Sequence, residues 1–221
     1  IGCRKCEEVC ISDAFDIMGK DVTVSEMMEI IMQDYDFYIS SGGGVTIGGG
    51  EMSLQTDFAV ELLRECKKMM INTAVETQGT TSVENYEKLA EVVDLFLFDL
   101  KHIDTVQHKN LFGIGNENVR RNFERLMELG ANVVMRMPLV RGCNDSFDAI
   151  TGAIEYAMEL SKRGNLNRID ILPYHQLGRG KYDKLDMIYP IKKDPTYSTE
   201  ELDQLEAFFK KFDFDIRLVR H

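Results

Sequence analysis

The chain alternates short apolar segments with longer segments in which apolar residues recur every three or four positions. The short segments are rich in β-branched and aromatic residues and predict strands, whereas the longer ones have one apolar face and predict helices. The predicted strands cover residues 45–47, 71–77, 94–100, 132–137, 168–173 and 214–219. The predicted helices cover residues 25–34, 55–70, 82–91, 117–129, 146–163 and 198–211. Regular alternation after residue 24 predicts an α/β fold with parallel strands and outer helices.

Residues at the helix ends support these boundaries. Ser25 is the predicted N-cap of the first helix, while Gly130 and Gly164 are predicted to end the helices 117–129 and 146–163. The nearly continuous apolar strand at 94–98 fits a sheet that is covered on both faces. Parallel strands joined by right-handed crossovers either close into a barrel or open into a doubly wound sheet.

Two glycine triplets flank the short strand at Val45–Ile47. The second triplet, Gly48–Gly50, lies between this strand and the next predicted helix, so it forms the turn of a βα unit. Such turns lie at the face where these folds bind ligands, and exposed amides there could hold a small polar ligand. A tight structural turn is the alternative. No Gly-Lys-Ser/Thr follows and no G-x-G-x-x-G is in register, which excludes both common phosphate-loop motifs.

Polar side chains follow the ends of five predicted strands. They are Glu51, Glu76, Thr77, Asp99, Lys101, Arg136 and His175. In a parallel barrel these strand ends share one face, so we expect these residues to form one pocket. A mixture of acids and bases suits a zwitterionic ligand. Taken singly, Asp99 with Lys101 could be an ordinary ion pair, and His175 could be a satisfied core histidine.

Composition narrows the function classes. The 221 residues are 44% hydrophobic, enough for one large domain or one and a half. A formal net charge of -11 argues against nucleic acid or an anionic membrane as the main partner. We also expect no membrane span, since no run of about 18 apolar residues occurs. The opening residues lack a basic segment followed by an apolar one, so we expect no signal peptide. The crowding of the cysteines favours a reducing cytoplasm as the compartment.

Three of the five cysteines lie within eight residues. Cys3-x2-Cys6-x3-Cys10 matches the end of the ferredoxin run C-x2-C-x2-C-x3-C-P, with Ile11 in place of the proline. The missing first cysteine would precede Ile1. No second Cys or His pair follows at zinc-finger distance, so the spacing favours an iron–sulfur cluster over zinc. The remaining cysteines, Cys66 and Cys143, are expected to be structural.

Several short segments of the chain have the order and spacing of the motifs of one enzyme family. They are the Cys3/Cys6/Cys10 run, residues 41–46, Gly49-Gly50-Glu51, Glu76-Thr77, Asp99-Leu100-Lys101, Arg136 with residues 138–140, and residues 173–178. Together they resemble the glycyl-radical-enzyme activating enzymes of the radical S-adenosylmethionine superfamily, to which the pyruvate formate-lyase activating enzyme belongs. The resemblance is greatest to the larger activators with a ferredoxin-like insert. These include the activators of choline trimethylamine-lyase, glycerol dehydratase and 4-hydroxyphenylacetate decarboxylase, of which the first is favoured.

The resemblance implies a partial (β/α) barrel of the radical SAM type. Residues 1–24 would be the remnant of a ferredoxin-like [4Fe–4S] insert. Residues 25–221 would form the barrel without its first strand and its cluster loop. The C-x3-C-x2-C motif of the radical-generating cluster is absent and would precede Ile1. If this sequence is the complete chain, we therefore predict that it carries out no radical chemistry.

The resemblance also implies a mechanism. A reduced [4Fe–4S] cluster donates an electron to S-adenosylmethionine, and the resulting 5′-deoxyadenosyl radical removes a hydrogen from a glycine of a partner glycyl radical enzyme. The implied cofactor-binding residues are Gly49, Gly50, Glu51, Glu76, Thr77, Asp99, Leu100, Lys101, Arg136 and His175, and the implied cluster ligands are Cys3, Cys6 and Cys10. Residues 49–51 would meet the cofactor amine and Lys101 its carboxylate. A monovalent cation is expected near Glu76 and Asp99. A flavodoxin or ferredoxin-type protein would donate electrons to a monomeric activator.

Other functions remain open from the residues alone. An iron–sulfur electron-transfer protein would have no affinity for S-adenosylmethionine. A divalent-metal-dependent barrel lyase or isomerase would use Glu51, Glu76, Asp99 and His175 as ligands, although Lys101 and Arg136 argue against it. A binding module that keeps the pocket without chemistry is the third alternative.

Residues 176–193 carry five basic and two acidic residues in an otherwise acidic chain. They follow a strand end and are expected to border the pocket. One hypothesis is that this segment admits or clamps the glycine loop of the partner, and a solvated loop is the alternative.

Overall fold

The predicted alternation of strands and helices is present in the structure, a computed structural model. It describes residues 3, 5–12, 14, 17, 19–189, 191 and 194–220. The helices are α1 (Lys5–Glu8), α2 (Val24–Ile31), α3 (Tyr35–Ser41), α4 (Thr56–Lys68), α5 (Val83–Ala90), α6 (Thr105–Phe112), α7 (Glu117–Glu128), α8 (Phe147–Ser161), α9 (Arg179–Lys184) and α10 (Thr199–Phe209). The strands are β1 (Gly44–Ile47), β2 (Asn72–Thr77), β3 (Leu95–Asp99), β4 (Asn132–Leu139), β5 (Asn165–Pro173) and β6 (Ile216–Leu218).

All six strands form one parallel sheet in the order β1-β2-β3-β4-β5-β6. Each strand lies beside its predecessor in the chain, so every crossover steps in the same direction. Right-handed crossovers then place the connecting helices on one face of the sheet. A doubly wound sheet would reverse its strand order instead. The predicted partial (β/α) barrel is therefore confirmed, whereas the division into segments 1–24 and 25–221 stays a prediction.

The apolar core decides which strand residues face the inside of the barrel. Phe96 and Phe98 of β3 are fully buried, and Phe98 stacks on Phe123 of α7 with ring centroids 4.7 Å apart. Burying such a ring contributes about 2–3 kcal/mol. Side chains alternate between the two faces of a strand. Since Phe96 and Phe98 pack against the helices, Leu97 and Asp99 point to the opposite face, which is the inside of the barrel.

A second apolar cluster holds α2 against α4. Ile31, Leu62, Cys66 and Ile71 are buried there, which agrees with a structural role for Cys66. The predicted N-cap, Ser25, is wrong. Thr23 is the N-cap, because its Oγ1 accepts from the Glu26 amide at 3.2 Å and Glu26 Oε2 accepts from the Thr23 amide at 2.7 Å.

The sequence pattern missed four of the described helices, namely α1, α3, α6 and α9. In α6 only His108 is buried, so no apolar stripe marks the helix. Its ends are nevertheless marked, since Asp104 Oδ1 accepts from the Gln107 amide at 2.7 Å and Gly113 follows with a φ of 81°. Cys143, which was expected to be structural, is exposed. Within the described residues, no helix combines the length and apolar character that crossing a bilayer requires.

Candidate functional site

The turn after β1 brings backbone without side chains to the barrel mouth. Gly49 and Gly50 have φ values of 81° and 40°, which disfavour residues with a Cβ atom. A Cβ on either glycine would meet nothing within 4 Å, so both face open space. At Gly48 a Cβ would lie 3.0 Å from Glu76 Oε2, so the glycine also lets this carboxylate approach the turn.

Glu51 fastens this turn to the end of β2. Its Oε1 accepts from Ser53 Oγ at 2.6 Å and from Thr77 Oγ1 at 2.7 Å. Its Oε2 accepts from the Gln78 amide at 2.9 Å. Thr77 is buried and also contacts the Tyr86 hydroxyl at 2.8 Å. The carboxylate of Glu51 thus shapes the site from behind and does not line the cavity described below.

Arg136 of β4 connects two carboxylates on the inner face. Its Nη1 donates to Glu76 Oε1 at 2.6 Å, and its Nε lies 3.1 Å from Asp99 Oδ1. Arg136 Nε and Asp99 Oδ1 are both buried without a hydrogen-bond partner. Their contact is therefore an ion pair and not a hydrogen bond. The side chains of Arg136 and Asp99 are only 18% and 20% exposed. The predicted monovalent cation near Glu76 and Asp99 stays a prediction. Arg136 supplies a positive charge at the same place.

Burial controls the ionisation of Asp99. Desolvation raises the pKa of this carboxyl above its ordinary value, and the neighbouring Glu76 charge adds to the rise. Arg136 and Lys101 lower the pKa but do not offset the cost of burial. Burial therefore disfavours the charged form of Asp99, and Arg136 and Lys101 offset only part of that cost.

Lys101 lies at the end of β3, and its ammonium donates to Gln78 Oε1 at 2.8 Å. Together these strand ends enclose a cavity of about 170 Å³, here called the strand-end cavity. It is lined by Gly49, Gly50, Glu76, Thr77, Gln78, Asp99 and Lys101. Of the seven polar residues that were expected to form one pocket, Glu76, Thr77, Asp99 and Lys101 line this cavity, whereas Glu51, Arg136 and His175 do not.

A second cavity of about 300 Å³, here called the side cavity, shares the side chains of Gln78, Asp99 and Lys101 with the first. Its other wall comes from Thr80, His108, Phe112 and Ile114. The Lys101 ammonium lies over the Phe112 ring, 5.5 Å from its centroid. Sequence reasoning missed this wall because it missed α6, although the Asp104 and Gly113 end signals could have revealed it.

Two further predicted residues, Leu100 and His175, do not line the strand-end cavity. Leu100 is fully buried, and only its backbone is near the site, donating to the Arg136 carbonyl at 2.8 Å. The cofactor-binding role of Leu100 stays a prediction, and only its backbone could serve it. His175 is exposed beyond β5 and does not line the strand-end cavity.

The structure does not gather the predicted metal ligands. Cys3 and Cys6 are exposed, and Cys10 Sγ accepts from the Ala14 amide at 3.1 Å. Among the described residues, no three His, Cys, Asp or Glu side chains are grouped so that they could hold a metal ion. The divalent-metal alternative and the cluster-ligand role of the cysteines therefore both stay untested.

Comparison with known proteins gives a consistent picture. The model of the Radical SAM superfamily matches residues 9–173. The chain is 47% identical over 210 residues to the choline trimethylamine-lyase activating enzyme of Oleidesulfovibrio alaskensis, covering 95% of this chain and 68% of that protein. It is 35% identical to the trans-4-hydroxy-L-proline dehydratase activating enzyme of Clostridioides difficile, covering 94% of this chain and 68% of the relative.

A solved structure shares the fold. The crystal structure of a domain of pyruvate-formate lyase-activating enzyme from Bacteroides vulgatus superposes with a TM-score of 0.64 at 26% identity. The match covers 80% of this chain and 99% of that domain. The six-stranded partial barrel described above is thus similar in extent to a domain already seen in a crystal.

Proposed function

The chain belongs to the radical SAM superfamily and, within it, to the activating enzymes of glycyl radical enzymes, and on this premise we propose that the strand-end cavity binds S-adenosylmethionine. Enzymes of this family use S-adenosylmethionine and a [4Fe–4S] cluster, as the resemblance implied. The residue roles below are proposals that rest on the geometry of this chain.

The strand-end cavity has the charges that a zwitterion needs. The methionine part of the cofactor carries an ammonium and a carboxylate. Lys101 offers a cation, Glu76 and Asp99 offer anions, and Gly49 and Gly50 leave backbone open to a ligand. The observation that carries the proposal is that an ammonium and two carboxylates line one cavity whose remaining wall is glycine backbone. Asp99 Oδ1, buried without a hydrogen-bond partner, has unused capacity to accept from a ligand.

The residues of this chain position the cofactor. When bound and reduced by one electron from the cluster, S-adenosylmethionine would supply the radical that removes a hydrogen atom from a glycine of the partner. Lys101 would hold its carboxylate, and the backbone of Gly49 and Gly50 would receive its ammonium. Arg136 would hold the side chains of Glu76 and Asp99 side by side at the cavity. Restricting the ligand in this way aligns the reacting groups and excludes water.

Anaerobic calorimetry of S-adenosylmethionine binding tests the proposal. In Gly50→Val the side chain would enter the open cavity and strain a left-handed backbone, so binding should be abolished. Gly130→Val is the matched control, because Gly130 also has a positive φ of 71° but lies at the C-terminus of α7, away from the cavity. Absence of binding by the folded parent chain, or equal loss in both variants, would contradict the proposal.

Cys3, Cys6 and Cys10 are proposed as ligands of an iron–sulfur cluster. The support is their ferredoxin-like spacing, since closely spaced thiolates can bind several irons. After anaerobic reconstitution with iron and sulfide, the parent should bind iron and absorb in the visible range. Replacing the three cysteines by serine should remove both signals, whereas Cys143→Ser should keep them. A reducing cytoplasm is the proposed compartment, because closely spaced cysteines that bind iron must stay reduced.

The proposed partner is a glycyl radical enzyme of the choline trimethylamine-lyase type. The support is the 47% identity to the activating enzyme that bears this name, compared with 35% for the hydroxyproline dehydratase activator. A pull-down with purified choline trimethylamine-lyase and, in parallel, hydroxyproline dehydratase would measure the preference. Stronger retention by the second enzyme would reject this assignment.

The segment from α9 to Tyr189 is the proposed contact surface for this partner. Arg179, Lys181 and Lys184 are exposed on α9, and Leu185, Met187 and Ile188 follow as exposed apolar residues. The Tyr174 and Tyr189 hydroxyls, 2.6 Å apart, tie the segment back to the end of β5. Basic residues beside exposed apolar ones fit an interface with an acidic rim and an apolar centre.

Charge removal tests this surface. The triple variant with alanine at 179, 181 and 184 should weaken binding to the partner at low salt, because attraction between exposed charges is lost. A matched variant with alanine in place of Lys67, Lys68 and Lys88 removes three cations from α4 and α5 and should bind as the parent does. Equal binding by both variants would remove the hypothesis.

A further inference from the structure

The loop that carries Lys101 is held by buried asparagine side chains. Asn144 Nδ2 donates to the Lys101 carbonyl at 2.7 Å. Asn116 Nδ2 donates to the carbonyls of His102 and Ile103 at 2.9 and 2.7 Å. Three consecutive carbonyls after β3 therefore accept hydrogen bonds from two amide groups that come from other parts of the chain.

Both asparagines are fully used by these contacts. Asn116 is completely buried, and its Oδ1 accepts from Thr105 Oγ1 at 2.5 Å. Asn144 is 3% exposed, donates also to the Pro138 carbonyl at 2.6 Å, and accepts from the Val140 amide at 2.8 Å. A buried amide is costly to leave unpaired, so each side chain is locked in one orientation by its own partners.

The neighbouring loop is held in the same way. Asn122 of α7 is buried and donates to the carbonyls of Gly79 and Thr81 at 2.9 and 2.8 Å. This loop follows β2 and begins with Gln78, the hydrogen-bond acceptor of Lys101. Asn116 is the N-cap of the same helix. One helix, α7, therefore fixes the backbone on both sides of the Lys101–Gln78 contact.

We propose that Asn116 and Asn144 are positioning residues that fix the Lys101 ammonium in the place where it meets the carboxylate of the cofactor, an inference that rests on the proposed function. Neither asparagine lines the strand-end cavity, so neither is a catalytic residue. They act through the backbone of residues 101–103. A lysine side chain loses much rotamer entropy when it binds a ligand, and a fixed backbone together with the Gln78 and Phe112 contacts removes part of that cost beforehand.

Amine labelling of Lys101 tests the positioning without any ligand. Labelling with a small acylating reagent is followed by mass spectrometry in Asn144→Ala and Asn116→Ala, with the exposed Lys88 as internal reference. Lys101 should be labelled several-fold faster in both variants, while Lys88 is unchanged. Asn165→Ala is the matched control, because Asn165 Nδ2 donates to the Gly130 carbonyl at 2.9 Å at the opposite end of the sheet. Unchanged labelling of Lys101 in folded variants would overturn the inference.

A milder variant covers the case in which alanine prevents folding. Thr105→Val keeps the shape of the side chain but removes the hydroxyl that orients Asn116. It should give a smaller increase in Lys101 labelling than Asn116→Ala. A folded Thr105→Val chain that labels like the parent contradicts the role of Asn116.

A double-mutant cycle with two ligands separates positioning from general destabilisation. Asn144→Ala should weaken S-adenosylmethionine binding about 10-fold in the parent and cause no further loss in Lys101→Ala. Decarboxylated S-adenosylmethionine lacks the group that Lys101 would hold, so Asn144→Ala should leave its affinity unchanged. Additive losses, or equal losses for both ligands, would overturn the inference. A parent that binds neither ligand would reject the proposed function instead, and the labelling result would still decide whether the asparagines position Lys101.

Discussion

Arg136 of β4 lies in register with Asp99 of β3, and its Nε is 3.1 Å from Oδ1 of that carboxylate. The same guanidinium reaches across to Glu76 of β2. One cation therefore serves carboxylates from two other strands, and the three strand ends share a single charge network. Because the sheet is parallel and its strands are in sequential order, these charges meet at one edge and can act on one ligand.

Lys101→Ala should weaken S-adenosylmethionine binding by 10- to 100-fold, since a charge-assisted contact to the ligand carboxylate contributes about 1.5–3 kcal/mol. Calorimetry at two salt concentrations would measure the loss, and the salt dependence of affinity should also decrease. Lys88→Ala is the control, because Lys88 pairs with Asp57 on the outer helices at 2.8 Å. An affinity that is equal in all three proteins would contradict a role for Lys101.

Asp99→Asn should change how stability depends on pH. The pKa of Asp99 is raised in the folded chain, whereas the unfolded chain has the ordinary value of about 3.9. Between these two values the folded chain binds more protons, so the contribution of Asp99 to the free energy of unfolding is complete below pH about 3.9 and is lost as the pH rises through the folded value.

Urea unfolding from pH 4 to 7 would measure this effect. The stability of Asp99→Asn relative to the parent should rise with pH, because the variant has no buried carboxyl to ionise. Asp57→Asn, at an exposed position of α4, controls for the loss of a surface charge. A stability difference for Asp99→Asn that stays constant with pH would show that burial does not govern this carboxyl.

Glu51→Gln should destabilise the glycine turn. An amide in place of the carboxylate turns an NH2 group toward donors such as the Gln78 amide, so at least one hydrogen bond is lost. The expected decrease in the free energy of unfolding is about 1–3 kcal/mol. S-adenosylmethionine binding should weaken as well, although the carboxylate does not line the cavity. Glu61→Gln on the exposed side of α4 should change neither quantity.

Thr23→Ala should lower the free energy of unfolding by about 1 kcal/mol, because it removes the N-cap and breaks the capping box with Glu26. Ser25→Ala, inside the first turn, should change stability by only a few tenths of a kcal/mol. Denaturant unfolding of both variants compares them directly. A larger cost for Ser25→Ala would restore Ser25 as the cap.

Much of the site could be predicted from the sequence because its residues follow strand ends. Gly49, Gly50, Glu76, Thr77, Asp99 and Lys101 were expected to line one pocket, and they do. The prediction needed only the parallel sheet, since the carboxyl ends of its strands lie at one edge. The prediction was less reliable where a side chain could face either the cavity or the core. Leu100 is such a residue, because its side chain packs into the core.

The missed features depend on contacts between distant segments. Three asparagines look like ordinary polar residues in the sequence, namely Asn116, Asn122 and Asn144. Each is buried and donates to backbone carbonyls of a distant segment of the chain. No local pattern identifies such partners, because they lie up to 43 residues away. Helix α6 was missed for a related reason, since it buries little surface and carries no apolar stripe.

The sequence by itself determined the alternation of strands and helices, the polar character of the strand ends and the glycine turn, because these follow from local periodicity and backbone preference. It also carried the family resemblance, which the comparisons confirmed. Only the tertiary structure decided that Glu51 holds the turn from behind, that Arg136 bridges Glu76 and Asp99, and that buried amides hold the Lys101 loop. These are matters of distance and burial between segments far apart in the chain, and such distances are fixed only when the sheet and helices pack.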